Sequence, residues 1–368
     1  MSTFNTTNIE NLTGGTPEFS QGLTVGGTAI GSLITMTEYY SQAGEPSSPA
    51  NGAVWWDGTN AYQYMNGAWR ILSVTAPPPP FVGSRGLFGG GTTGSNTNVI
   101  DYVTITTTGN ATDFGDLSLT RQGLASCSDG SRGLFGGGYT STIVNTIDYV
   151  TIATTGNAID FGDLTQSRQI LASCSDGSRG LFGGGVASTI TDTIDYVTIA
   201  TTGNAVDFGN LNNARGGYFS CSDGTYGLFA VGTSTFNVID YVTIATLGNA
   251  VDFGDLSETR GTAGSCSNST RGLFGGGSNA LTGARVTTID YVNIAVPSNA
   301  TDFGDLTVAR SNLSACSDGV YGLFGGGLND AFSGDNTIDY VSINTTGNAT
   351  DFGNLTVGRR VLAACSGD

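Results

Sequence analysis

The triplet Asp160-Phe161-Gly162 and the run Gly133-Leu134-Phe135-Gly136-Gly137-Gly138 are pieces that, in a phosphoryl-transfer site, hold magnesium and cover nucleotide phosphates. That chemistry also needs a lysine on the phosphates and one catalytic aspartate with an asparagine partner. The 368-residue chain has 13 basic residues, all of them arginine, and no histidine. The triplet also occurs six times, with its aspartates at Asp113, Asp160, Asp207, Asp252, Asp302 and Asp351. A group needed once for catalysis has no reason to recur in this way, so a nucleotide site is excluded.

The repetition leads to the elements that must carry these residues. GLFGGG begins at Gly86, Gly133, Gly180, Gly272 and Gly322, with a degenerate GLFAVG at Gly227. IDYV precedes each triplet, its aspartate 12 residues before the DFG aspartate; an arginine follows 8 residues after that, and a cysteine 6 later still. The resulting unit is 45 to 50 residues long, a period typical of solenoids and propellers. Within it, apolar and β-branched runs alternate with Gly, Asn and Asp clusters, which reads as four short strands. In the second unit strand A is read from Ile170, B from Arg132, C from Thr146 and D from Ala158. TTGN is read as a C–D hairpin turn with Gly in positive φ.

Four strands at this period predict an all-β fold, a six-bladed β-propeller of four-stranded blades over residues 84–368. The first unit enters at Ser84 without a strand A, and the tail RRVLAACSGD from Arg359 supplies one without a following B. The C-terminal strand is therefore expected to close blade 1 and remove an open edge. Residues 1–75 form a β-rich module with Trp55, Trp56 and Trp69 in a three-stranded meander turning at Asp57-Gly58 and Asn66-Gly67, and residues 76–83 are a Pro-rich linker.

The order Arg, small apolar strand, GLFGGG, IDYV, aromatic strand and Arg resembles the kelch repeat, although Phe114 and its equivalents stand where kelch blades have Trp. The N-terminal motif NGAVWWDGTNAYQYMNGAW resembles small modules of bacteriophage tail fibres, and the first 30 residues are similar to the N-termini of cyanophage structural proteins. These resemblances imply a virion protein, assembled in the host cytoplasm and joined to other virion proteins through the N-terminal module. A homo-oligomer is expected there, a trimer being favoured.

Charge and composition limit the alternatives. A net charge of −17 opposes nucleic-acid binding, and no apolar run or leader-like start points to membrane insertion. Cys127 and its five equivalents fall at one place on the innermost strand, so buried thiols are expected rather than disulfides or a metal ring. Asp101, Asp113 and Arg121, with their equivalents, are expected to form an ion-pair network within each blade, and Phe114 to pack between blades. Calcium at the Asp-rich turns is the alternative, without EF-hand spacing to support it. No cofactor and no enzymatic activity is expected.

What does not repeat is the B–C loop. TTGSNTNV, YTSTIVNT, SNALTGARVTT and LNDAFSGDNT differ in length and content. In a meander, B–C and D–A connections share one face, so variation collects there, away from both chain ends of the ring. Tyr139, Phe236, Asn279, Arg285, Asn329, Asp330 and Phe332 are the candidate ligand-binding residues, since loops on a rigid scaffold are where binding is commonly placed. The expected role is a phage tail fibre or appendage that recognises a host-surface glycan or protein. A capsid-decorating or tail-assembly protein is the alternative, and a glycan-processing enzyme a third.

Overall fold

The computed structural model describes residues 84–367 apart from 218 and 231–236, together with residue 53 and six strands of the N-terminal region. The chain divides into two compact units, Met1–Pro79 and Pro80–Asp368. In the first, Val54–Trp56, Ala61–Met65 and Ala68–Ile71 form the antiparallel meander, and Tyr39–Ser41 adds a fourth strand in parallel to Val54–Trp56. The expected turns at 57–58 and 66–67 and the linker lie outside the described residues.

The second unit is a six-bladed β-propeller without a helix among its described residues. Blade 2 is representative: strand A is Ala125–Ser128, B is Arg132–Gly136, C is Thr146–Thr151 and D is Ile159–Asp163, joined as an antiparallel sheet in that order, so the strand read from Ile170, Ala172–Ser175, is strand A of blade 3 and not of blade 2. Blade 1 takes its strand A from the C-terminus, where Ala363–Gly367 pairs with Arg85–Gly89 and Cys365 faces Leu87. The cores lie between blades. Leu87, Ile100 and Phe114 of blade 1 pack with Phe135, Val150 and Ile152 of blade 2, and the Phe114 ring meets Tyr102 edge-on at 6.0 Å.

The DFG triplet is a β-bulge. Ile147 pairs with Gly162 and Asp148 with Asp160, so Phe161 is the extra residue on strand D, and it turns into the core. Gly162 has φ +146, and a Cβ there would lie 2.5 Å from the carbonyl oxygen of Gly203 in the next blade. Glycine is required at this seam for both reasons.

The C–D connection differs from the expected hairpin. Gly109, Gly156 and Gly203 lie outside the left-handed region, and among the C–D glycines only Gly248 and Gly347 have positive φ, at its extended edge with +157 and +158. The chain turns earlier, with the Thr154 amide donating to the Thr151 carbonyl, and then runs along the preceding blade. There the Gly156 and Ala158 amides donate to Phe114 and Asp116, each at 2.8 Å. TTGN is thus a clamp between blades, and it is the bare backbone of Gly115 that lets the Gly156 carbonyl sit against it, whereas a Cβ on Gly156 would meet open space.

The ion pairs also require a correction. Arg121 donates to Asp148 of the following unit at 2.9 Å, while Asp101 is paired with Arg359 at 3.1 Å. Asp113 is exposed on strand D and takes no part. Arginine precedes strand A, so it reaches strand C of the blade it is about to enter, donating also to the Phe135 and Thr146 carbonyls. Ser118, just after strand D of blade 1, donates to the same carboxylate at 2.6 Å. One buried aspartate thus ties two blades together.

Candidate functional site

The two faces separate as connection geometry requires. Backbone bridges join the D–A connection to the B–C loop of the blade it enters at Gln122–Tyr139, Gln169–Val186, Ser311–Leu328 and Arg360–Thr92. On the opposite face Gly367 pairs beside Gly130 of an A–B loop, and Arg85 donates to the Ile152 and Ala153 carbonyls of a C–D turn. The first and last described residues of the ring therefore lie away from the variable loops.

Around the axis on the variable face runs a closed circle of backbone hydrogen bonds. Its members stand two residues after each D–A arginine: Gly123, Ile170, Gly217, Thr262, Asn312 and Val361. Each amide donates to the carbonyl of its counterpart in the preceding blade, at 2.7 to 3.4 Å. All six have left-handed φ, between 55° and 83°. Ile170, Thr262 and Val361 are β-branched residues in a conformation that opposes them, and ring closure holds them there.

A second circle closes the axis on the other side. Ser128, Ser175, Ser222, Ser267, Ser317 and Ser366 each donate the hydroxyl to the carbonyl of the preceding blade's serine at 2.6 to 2.7 Å. Strand alternation turns the neighbouring cysteines outward from these hydroxyls. Cys127 and its equivalents are free and buried, and burial pushes their thiols up, that of Cys365 to about 12. Such thiols are unreactive near neutral pH. Among the described residues no cluster of Cys, Asp or Glu is arranged to hold a metal ion.

The candidate residues divide by what their side chains do. Asn279 caps its own loop, accepting from the Leu281 and Thr282 amides, and donates to Glu258 at 3.3 Å. Asn329 accepts from Ala331 and Ser333 in the same manner. Tyr139 is half-buried and pairs through its backbone with Gln122. Phe236 lies outside the described residues.

Arg285, Asp330 and Phe332 come together from the B–C loops of blades 5 and 6. The guanidinium donates to Asp330 at 3.2 Å and stacks under the Phe332 ring at 4.5 Å from its centroid. Arg285 is 8% exposed, whereas Phe332 is 74% exposed.

Two groups on this scaffold escape a reading of the conspicuous motifs. Ile170, Val186, Ile190 and Thr262 line an apolar depression of about 550 Å³ on the variable face; their loops do not repeat, and the signal was only an isoleucine in a Thr-rich loop. On the opposite face Arg85, Arg132, Arg179 and Arg271 begin strand B, stack on tyrosines at 4.8 to 5.0 Å and reach the next blade's C–D turn. Their signal was the Arg before GLFGGG, replaced by Tyr226 and Tyr321 in the other two blades. Compared with known protein families and with curated proteins, the chain matches no family model and no curated protein.

Proposed function

We propose that this is a virion structural protein of a bacteriophage, a tail fibre or appendage, that turns the variable face of its propeller toward the host-cell surface. The observation that carries the reading is the division between faces. The seams, the axial circles and the C–D clamps repeat from blade to blade, while the B–C loops change length and place an exposed aromatic ring and carboxylate outward. The kelch-like repeat order and the resemblance of the N-terminal stretch to phage fibre modules support the same reading. The acidic chain suits an uncharged partner better than an anionic one.

A second reading, a capsid-decorating or tail-assembly protein, is favoured by the outer rim. Ile159, Val206 and Val251 on strand D of three consecutive blades are 57%, 55% and 55% exposed, where the other blades carry threonine. Such side chains suit a contact with another virion protein. Fluorescently labelled full-length protein, mixed with cyanobacterial cells and separately with purified virions lacking it, distinguishes the two. Adhesion predicts saturable binding to susceptible cells. Binding confined to virions supports the assembly role and overturns adhesion.

A further inference from the structure

The Phe332 ring is an exposed aromatic that the fold has gone to some length to hold still. Its backbone is at φ +58, a conformation that opposes a bulky residue. The loop around it is tied internally: the Phe332 amide donates to the Asn329 carbonyl, and the Asn329 side chain accepts from Ala331 and Ser333 and donates to Asp335. Beneath the ring lies the Arg285 guanidinium from the adjacent blade, itself almost wholly covered and paired with Asp330. One face of the ring is therefore occupied by a cation whose charge is balanced, and the other is open.

From this geometry we propose that Phe332 is the stacking platform of a binding site for a neutral pyranose sugar, with Asp330 beside it accepting a sugar hydroxyl. The proposal rests on the adhesion reading and names the class of ligand. A flat ring with one open face matches the C–H face of a pyranose, which offers apolar area bordered by hydroxyls. Asp330 is 75% exposed and spends Oδ1 on Arg285, which leaves Oδ2 toward solvent.

The surroundings select against other ligands. Within its loop Phe332 is flanked by polar Asn329, Asp330 and Ser333 and by the single methyl of Ala331, whereas a protein interface core needs several adjoining apolar groups. The guanidinium under the ring draws π density inward and disfavours a second cation on the open face. The net charge of −17 disfavours an acidic glycan. Fixing the ring before binding lowers the ordering cost that a mobile loop would carry.

The test is saturation-transfer NMR on the full-length chain with the methyl glycosides of glucose, galactose and mannose as probes. At least one is expected to bind saturably, with transfer strongest on the C–H protons of one sugar face. Phe332→Ala is expected to weaken it roughly tenfold or more, Phe332→Trp to retain it, and Arg132→Tyr, on the opposite face, to leave it unchanged. Because the side chain is exposed, the thermal midpoint of Phe332→Ala should match the parent, which separates lost binding from lost folding. Absence of saturable transfer from all three probes, or equal binding in Phe332→Ala, overturns the platform. Cell adhesion that survives Phe332→Ala overturns the platform as the receptor site while leaving adhesion standing. Sugar binding without cell adhesion does the reverse.

Discussion

Gly133 and Gly162 look interchangeable as glycines of a repeat, yet they answer to different neighbours. A Cβ on Gly133 would lie 2.8 Å from Sγ of Cys365 in the preceding blade, with Val150 and Ile152 at ordinary contact distance. The thiol fills the space that the glycine leaves, and the same pairing recurs between Gly180 and Cys127. Gly133→Ala is therefore expected to cost about 1–3 kcal/mol in denaturant titration, and adding Cys365→Ala to return much of it through coupling. At Gly162 the obstacle is a backbone carbonyl and a positive φ, so no side-chain truncation should rescue Gly162→Ala. Additive energies in the Gly133–Cys365 cycle would contradict the packing account. The Cys series and the first glycine of GLFGGG were both visible in the sequence. Their meeting was not, because it crosses from one blade to the next.

Between elements the seams rely on backbone and buried charge. Asp148 is inaccessible to solvent, its charge is balanced by Arg121, and it accepts a hydrogen bond from the Ser118 hydroxyl. Burial lowers the arginine's pKa, with Asp148 opposing the shift. Removing one partner strands the other charge, and Arg121→Leu is expected to destabilise by about 3–5 kcal/mol, measured by chemical denaturation. A loss below the uncertainty of that measurement would show that the pair is dispensable.

The blade 6 loop has its own acid-sensitive anchor in Asp335. Burial opposes its ionisation, but hydrogen bonds from Thr337 and Asn329 and the nearby Arg310 outweigh burial and hold the carboxyl below its usual range. A carboxyl depressed in the folded chain contributes fully above its unfolded value and loses that contribution as pH falls through the folded one. Amide exchange at Thr337, corrected for its intrinsic rate, should accelerate on acidification below about pH 4, and in Asp335→Ala already at neutral pH. A pH-independent corrected rate in the parent would remove the anchor. The four strands of each blade were legible from period and turn clusters. The arginine's partner was assigned one unit too early, since spacing does not tell which blade a connection serves, and the C–D segment proved to serve an interblade clamp through its backbone, with Ser298 in place of the glycine in blade 5.

For the whole molecule, closure is the feature the sequence revealed most directly, because a strand A without a B and a B without an A stood at the two ends of the repeat array. The C-terminal strand also completes the serine circle, through Ser366 donating to Ser317 and accepting from Ser128. A chain ending at residue 360 should expose the Arg85–Gly89 edge, lose cooperative unfolding and aggregate. A cooperative, monodisperse propeller from that chain would contradict closure by this strand. The site was legible only in part. Loop variation marked the face, and Arg285, Asp330 and Phe332 do converge there, but Asn279 and Asn329 serve their own loops, which residue type alone could not reveal.

The central claim is that the variable face carries recognition and the repeated face does not. The most direct measurement is binding of labelled full-length protein to susceptible cyanobacterial cells, with the blade 5 and blade 6 B–C loops replaced by the blade 1 loop TTGSNTNV in one variant and Arg132 and Arg179 replaced by Tyr in another. The account predicts that the loop exchange abolishes saturable binding and that the tyrosine variant, altered only on the opposite face, binds like the parent. Undiminished binding after the loop exchange, or loss confined to the tyrosine variant, would contradict it.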